Sequence, residues 1–152
     1  MFWLLLAGTG VFLIWRYAVT SYPLQSYAVP FGDLFKEAEN RHGLPPFLLV
    51  EVARQESGFN PKAYNAASGA SGIMQIVPKW HPGVDPYEPT QAIPYAAGYL
   101  RNLKNRTGTW KRALAAYNWG IGNLSTLGFD KMPRETREYI AAISAKLPYG
   151  LG

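Results

Sequence analysis

The sequence predicts an all-α domain with at most a minor β hairpin, preceded by an N-terminal transmembrane helix. Apolar residues recur at helical spacing in five segments after residue 30. No stretch of any length shows the alternation of apolar and polar residues that is typical of a strand. Residues 1–15 carry no charged side chain, which is typical of a membrane segment.

Length and composition favour one globular domain and exclude several kinds of site. The chain has 152 residues, of which 48% are hydrophobic and 16% charged, so it can bury a sizeable core. Because there are no cysteines, disulfides, thiolate metal sites and Cys nucleophiles are excluded. The two histidines, His42 and His81, are far apart and have no metal-binding spacing. We therefore expect no metal and no cofactor.

The net charge is +5, without a run of Lys and Arg. Such a surface mildly favours anionic partners, and an anionic cell-wall polymer satisfies it as well as a nucleic acid does. No basic helix or interleaved Arg and aromatic patch is present. We therefore expect no nucleic-acid partner.

Residues 1–20 are interpreted as a transmembrane anchor. A helix of about 19 residues spans ~28 Å, which is enough for a bilayer core. A cleaved secretory signal is the alternative, but a basic region is missing before the apolar run and the cleavage options are poor. A buried core helix is a third reading, although the run is apolar all round. Arg16 on the C-terminal flank favours a cytoplasmic location for the rest of the chain.

Residues 21–30 contain Pro23 and Pro30 and form an extended linker. Residues 31–152 are the predicted domain. Its first helix carries Phe31, Leu34, Phe35 and Ala38 and ends at His42-Gly43. The next helix is predicted to begin at Pro46, since Pro suits a first helical position.

The second helix contains an acid in its apolar stripe. Leu49, Val52, Ala53 and Glu56 lie at i, i+3, i+4 and i+7, while Glu51 and Arg54 are predicted on the opposite face. A carboxyl group among apolar neighbours loses hydration, which raises its pKa and suits a general acid. The alternative is an edge position at which the side chain reaches water or a basic group.

The rest of the domain alternates loops with three helices. A Gly-rich loop at 68–72 would let the backbone approach a ligand closely. Residues 77–89 read as a Pro-rich surface loop whose aromatic side chains either anchor the loop or bind sugar, with anchoring favoured. Thr90 is the expected N-cap of the third helix. The fourth helix runs from Trp110 to Tyr117, and Pro133 opens the last, which carries Thr136, Tyr139, Ile140 and Ile143 on one face.

Four short motifs occur in order along the domain: Glu56-Ser57, Gly72-Ile73-Met74-Gln75, Ala116-Tyr117-Asn118, and Tyr139 within 135–140. Each is weak alone, but the ordered set resembles the soluble lytic transglycosylase family, which has a lysozyme-like fold. The resemblance covers about residues 31–145. Ile73 replaces the usual Leu and Trp119 replaces a residue that is often small, which could reshape one subsite.

The resemblance implies an enzyme that cleaves peptidoglycan between N-acetylmuramic acid and N-acetylglucosamine and leaves a 1,6-anhydro end. The residue matching Glu56 is first acid and then base in that family, and the one matching Tyr139 hydrogen-bonds it. The remaining matches, implied to contact the glycan, are Ser57, Met74, Gln75, Tyr117 and Asn118.

The chemistry is consistent with the residues themselves. A glycosidase that works through protein groups alone normally needs two carboxylates about 5 to 9 Å apart. Glu51, Asp85, Glu88, Asp33 and Glu37 offer no convincing second acid for Glu56. One acid suffices if the acetamido group of the substrate stabilises the cation and its own hydroxyl attacks.

Alternatives remain open for function and location. A goose-type-lysozyme-like hydrolase would use water as the nucleophile, and a glycan-binding or structural module would keep the fold without turnover. The expected location is a bacterial membrane, with the domain facing peptidoglycan in the periplasm or envelope. The alternative is the virion membrane of a bacteriophage. The expected partners are glycan strands, the membrane through residues 1–20, and proteins of an envelope-spanning or virion assembly.

Overall fold

The structure is a computed structural model that describes residues 27–151. The predicted anchor at 1–20 and most of the linker lie outside the described residues. None of the helices within 27–151 combines the length and apolar character that crossing a membrane requires.

The described part of the chain is helical, as the sequence predicts. Six α-helices occur instead of the five expected, because a short helix and a 3-10 helix fill the segment after Trp119. In chain order they are α1 (Gly32–His42), α2 (Leu48–Ser57), α3 (Pro89–Thr107), α4 (Trp110–Trp119), α5 (Ile121–Leu127), the 3-10 helix (Phe129–Lys131) and α6 (Arg134–Ser144).

Two predicted helix starts are shifted. Helix α2 begins at Leu48 and its N-cap is Phe47, so Pro46 lies in the preceding turn. The N-cap of α3 is Glu88, whose carboxylate accepts a hydrogen bond from the Thr90 backbone N–H, and not Thr90 itself. Both shifts amount to one or two residues, the range over which helix ends commonly vary.

Helix α2 is the central element. It packs against α1 on one side and α6 on another, and residues 48–53 are all buried. The prediction that Glu51 lies on an exposed face is therefore wrong. Its side chain is 5% exposed and pairs with the more exposed Arg54, whose Nε lies 3.0 Å from a Glu51 carboxylate oxygen.

The other helices enclose α2 and its neighbouring loop. Helix α3 packs against α1 and α4, and α4 packs against α5 and α6. The core is made of apolar side chains from every one of the larger helices, among them Phe35, Leu49, Ile93, Leu114 and Ile143, all fully buried. This packing brings the C-terminal end of α2 next to α4 and α6.

The loop between α2 and α3 carries the little β structure that the described residues contain. Ser71 forms isolated antiparallel bridges with Tyr64 and Ile76. Gly72 has φ 73°, and a Cβ atom at this position would lie 1.6 Å from the Pro86 carbonyl oxygen. Only glycine therefore allows the 77–89 loop to approach the turn that follows Gly72.

Candidate active site

Glu56 lies in the last turn of α2 and is partly buried. The Tyr139 hydroxyl on α6 donates a hydrogen bond to a Glu56 carboxylate oxygen at 2.7 Å. Burial raises the pKa of Glu56 from 4.5 to about 7, and the Tyr139 hydrogen bond partly opposes that rise. A carboxyl group with this pKa exists in both protonation states near neutral pH, which suits a group that first donates and then accepts a proton.

The Glu56 carboxyl group opens into a cleft of about 650 Å³. Helices α2, α4 and α6 and the loop at 65–77 form its walls. The side chains that line it are Gln55, Glu56, Asn65, Ser68, Ala70, Gln75, Val77, Tyr117, Asn118, Glu135, Glu138, Tyr139 and Ala142. The lining is largely polar, as expected for a site that binds a sugar through hydroxyl and amide groups.

Tyr117 projects from α4 into the cleft. Its hydroxyl donates a hydrogen bond to the Met74 carbonyl oxygen at 2.8 Å, which ties α4 to the loop. Burial first, and then the nearby Glu56 carboxylate, raise the pKa of Tyr117 well above its ordinary value. The phenol is therefore neutral near neutral pH, and its ring forms part of the cleft wall beside Glu56.

Asn118 follows Tyr117 and also lines the cleft. The Thr136 hydroxyl on α6 donates a hydrogen bond to the Asn118 side-chain oxygen at 2.8 Å, and Thr136 is itself buried. This bond fixes the plane of the Asn118 amide relative to Tyr139, which lies one turn further along α6.

Gln75 lies in the turn that closes the loop. Its φ is 48°, an unusual conformation for a residue with a side chain, and its side-chain amide donates to the Gly72 carbonyl oxygen at 3.0 Å. Strained backbone of this kind is concentrated at functional sites. The turn places Gln75 on the cleft wall and directs the neighbouring Met74 the other way.

Two of the residues expected to contact substrate are placed elsewhere. The Met74 side chain is 0% exposed and belongs to the hydrophobic core, so only its carbonyl group, held by Tyr117, faces the site. The Ser57 hydroxyl donates to the Ile73 carbonyl oxygen at 2.8 Å and accepts from the Asn60 backbone N–H at 3.1 Å. Through these contacts Ser57 connects α2 to the loop. It is not among the residues that line the cleft.

The cleft also contains residues that the sequence analysis passed over. Gln55, Asn65 and Ser68 contribute polar groups from α2 and the loop, and two acids, Glu135 and Glu138, contribute carboxylates from α6. Glu135 and Glu138 were not considered in the search for a second acid. Glu135 lies four residues before Tyr139, and residues at i and i+4 share a helix face, so this spacing could have placed Glu135 near the site. Glu138 directly precedes Tyr139, and its sequence position gives no such signal.

The three carboxyl groups in the cleft differ in environment. Glu135 and Glu138 are exposed, and Glu138 pairs with Arg134 at 2.6 Å. Glu56 is half-buried, and this burial raises its pKa. No group of three or more His, Asp or Glu side chains in residues 27–151 is arranged to hold a metal ion.

The chain is similar to several known proteins. Residues 33–140 match the family described as the Transglycosylase SLT domain. A membrane-bound lytic murein transglycosylase F from Alcanivorax borkumensis is 38% identical over 105 residues, which cover 62% of this chain and 22% of that protein. A transglycosylase from Enterobacteria phage PRD1 is 33% identical over 113 residues, covering 68% of this chain and 42% of the phage protein.

A solved structure shows the same architecture. The 70 kDa soluble lytic transglycosylase of Escherichia coli superposes with a TM-score of 0.66 and 30% identity, over 76% of this chain and 23% of that one. The chain therefore spans less than half the length of each of these relatives.

Proposed function

The chain belongs to the SLT transglycosylase domain family, and from that membership and the acid in its cleft we propose that it is a peptidoglycan lytic transglycosylase. It would cleave the β-1,4 bond between N-acetylmuramic acid and N-acetylglucosamine and leave a 1,6-anhydro end. The observation that carries the proposal is Glu56, with a pKa of about 7, hydrogen-bonded to Tyr139 on the wall of a polar cleft.

In the proposed first step, protonated Glu56 donates its proton to the glycosidic oxygen and the bond from that oxygen to C1 breaks. The acetamido group of the substrate stabilises the cation that develops at C1. Glu56 is now a carboxylate, and the Tyr139 hydroxyl, which favours the charged form, stabilises it.

In the proposed second step, the Glu56 carboxylate removes the proton from the C6 hydroxyl, and that oxygen attacks C1 to close the anhydro ring. The proton lost in the first step is regained, so the cycle consumes no water and needs no other acid. A pKa near 7 suits both steps. A more acidic group would be a poor proton donor in the first step at neutral pH, and a less acidic group would be a poor proton acceptor in the second.

We assign substrate contact to the cleft-lining groups Gln75, Tyr117 and Asn118, and support of the acid to Tyr139. Ser57 and the Met74 backbone are assigned to holding the loop against α2 and α4. The Met74 side chain lies within the core and cannot reach a sugar, and the Ser57 hydroxyl already bonds the Ile73 carbonyl oxygen and the Asn60 backbone N–H.

The products decide between transglycosylation and the alternatives. Digestion of isolated sacculi should release muropeptides with non-reducible anhydro ends, which mass spectrometry detects as one water less than the hydrolysis products. Reducible ends would identify a goose-type-lysozyme-like hydrolase. Binding without any released product would identify a glycan-binding module.

Matched variants locate the acid. We expect Glu56→Gln to abolish release, whereas Glu135→Gln and Glu138→Gln should each reduce the rate by less than about tenfold. A second catalytic carboxylate, as in an inverting hydrolase, would instead show a loss of roughly 10²-fold to 10⁴-fold in one of those two variants.

We further propose that residues 1–20 anchor the domain to a membrane and that the domain faces peptidoglycan. The apolar character of that segment and the relatives named as membrane-bound support a bacterial envelope location, in which the enzyme would locally open the wall for an envelope machine. The phage relative supports the alternative, a virion membrane from which the enzyme opens the wall for genome delivery. Protease accessibility in intact cells, or detection in purified virions, separates the two.

A further inference from the structure

The N-terminus of α2 lacks a cap of its own. The N-cap residue, Phe47, has an apolar side chain and a left-handed backbone with φ 71°. The first amide groups of a helix have no partner within the helix, and leaving them buried without an acceptor is costly. An acceptor from another element is therefore required at this point.

Glu39 on α1 supplies that acceptor. One of its carboxylate oxygens accepts from the Phe47 backbone N–H at 2.9 Å, and the other accepts from the Leu49 N–H at 2.8 Å. The side chain is 1% exposed. A carboxylate at a helix N-terminus also interacts favourably with the helix dipole, so Glu39 holds α2 along its axis.

Tyr27 in turn holds Glu39. Its hydroxyl donates a hydrogen bond to the Glu39 carboxylate, and its ring packs on Phe47 with 4.6 Å between ring centroids. The backbone of Tyr27 lies directly against Gly32. A Cβ atom at Gly32 would be 1.9 Å from the Tyr27 carbonyl oxygen, so only glycine allows this contact. Tyr149 donates to the Pro46 carbonyl oxygen just before the helix.

The far end of the same helix carries Glu56. With a rise of about 1.5 Å per residue, Glu56 lies ~10 Å along the axis from Leu49. A helix of this length moves as one body, so a slip at its N-terminus shifts Glu56 relative to Tyr139, which belongs to α6. Misplacement of a catalytic group by about 1 Å can cost roughly 10²-fold in rate.

We propose that Glu39 is a positioning residue for Glu56, acting through α2, and that Tyr27 holds Glu39 in place for this task. The proposal rests on the proposed function in that Glu56 is the catalytic acid. A positioning role and a purely stabilising role make different predictions. If Glu39 positions Glu56, a change at Glu39 alters the ionisation of Glu56 and the reaction rate as well as the stability of the fold.

The test uses the full chain in detergent with ¹³C-labelled glutamate, and the Glu56 signal is assigned by its loss in Glu56→Gln. Glu39→Asp keeps the carboxyl group but is one methylene too short to reach both amides. Tyr27→Phe removes one hydrogen bond and keeps Glu39. Each should shift the Glu56 titration midpoint by roughly 0.5 pH units or more in either direction, because a displaced α2 changes both the hydration of Glu56 and its hydrogen bond to Tyr139.

Kinetics on sacculi give the second readout. We expect kcat to fall about tenfold or more in Glu39→Asp while KM changes less than about twofold, since the side chains assigned to substrate contact lie on α4 and the loop and not on α2. Glu51→Gln is the matched control. It removes a buried carboxylate from α2 itself, closer in sequence to Glu56, so it should lower the melting temperature without changing the Glu56 midpoint or kcat.

Unchanged midpoints in both Glu39→Asp and Tyr27→Phe, measured well below their melting temperatures, would overturn the proposal and leave Glu39 as a stabilising cap. Equal midpoint shifts in Glu51→Gln would also overturn it, because a shift shared with that variant would reflect a general loosening of the fold and not the lost position of α2. The NMR readout needs no turnover. If the wild-type chain releases no muropeptides, the proposed function fails while the link from Glu39 to Glu56 is still measured.

Discussion

At Glu56, two opposing effects set the pKa. Burial raises it to about 7, and the Tyr139 hydroxyl, which donates to the charged form, lowers it. The same pKa therefore governs both the proposed proton transfer and the pH dependence of the free energy of unfolding. Because the folded-state pKa exceeds the ordinary value of 4.5, the folded protein binds more protons than the unfolded one between these pH values. Stability therefore falls as pH rises from about 4.5 to about 7 and stays lower above.

Glu56→Gln tests this link. The amide cannot ionise, so the variant should be more stable than the wild type at pH 8 by on the order of 1–3 kcal/mol, and nearly equal to it at pH 4. Urea unfolding at the two pH values measures the difference. An equal stability difference at both pH values would mean that burial of the charged carboxyl group costs nothing.

Tyr139→Phe separates the hydroxyl group from the ring. Without the donor, the Glu56 pKa should rise further, so the alkaline limb of the kcat/KM profile should move to higher pH. The rate should fall roughly tenfold to a hundredfold, because the carboxylate formed in the first step loses its partner. The stability change should be only about 1 kcal/mol.

Tyr95→Phe is the control for that variant. The Tyr95 hydroxyl hydrogen-bonds His81 at 2.7 Å, away from Glu56. Its removal should leave the pH profile unchanged. A Tyr139→Phe enzyme with wild-type kinetics would assign Tyr139 to the core alone.

At the scale of elements, the cleft depends on how α4 and α6 meet. The hydrogen bond from Thr136 to Asn118 crosses that contact. Thr136→Val keeps the shape and removes the donor, so we expect a stability loss of about 1 kcal/mol and a KM increase of about fivefold. Steady-state kinetics on soluble glycan fragments measure the increase.

Thr107→Val provides the comparison. The Thr107 hydroxyl donates to the Leu103 carbonyl oxygen at the end of α3. A similar stability loss with an unchanged KM is the expected result. If both variants raise KM equally, the Thr136 bond serves the fold and not the cleft.

The aromatic side chains of the 77–89 loop differ in their surroundings. His81 anchors it, since its ring nitrogen bonds the Tyr95 hydroxyl and its ring lies 4.8 Å from that of Tyr99, edge to face. Burial lowers the pKa of His81, which favours the neutral ring in this contact. Trp80 is 70% exposed and does not anchor the loop.

At the scale of the whole molecule, the proposal assigns membrane anchoring to residues 1–20 and catalysis to the domain that follows. The described residues form a core that includes Tyr139, whose hydroxyl donates a hydrogen bond to Glu56. Removing residues 1–20 should therefore leave cleavage of isolated sacculi within about twofold of the full chain and abolish membrane association. Fractionation of cells expressing both forms, with muropeptide release from the purified proteins, measures the two effects. Loss of activity in the shortened chain would mean that the segment contributes to the domain itself.

The sequence by itself determined the helical class and the positions of most helices, because these follow from local spacing and from Gly and Pro at the ends. It also identified Glu56 as an acid in an apolar stripe, since i, i+3, i+4 and i+7 are local relations. The short helix after Trp119 was missed because seven residues carry too little periodicity to recognise.

Only the tertiary structure decided which polar groups are buried and which line the cleft. Glu39 and Glu51 look like surface acids in the sequence, yet both are buried because other elements cover them. Met74 lies in the core and its neighbour Gln75 on the cleft wall, a difference made by one strained turn. The physical reason is that burial depends on contacts between residues distant in sequence, which local periodicity does not contain.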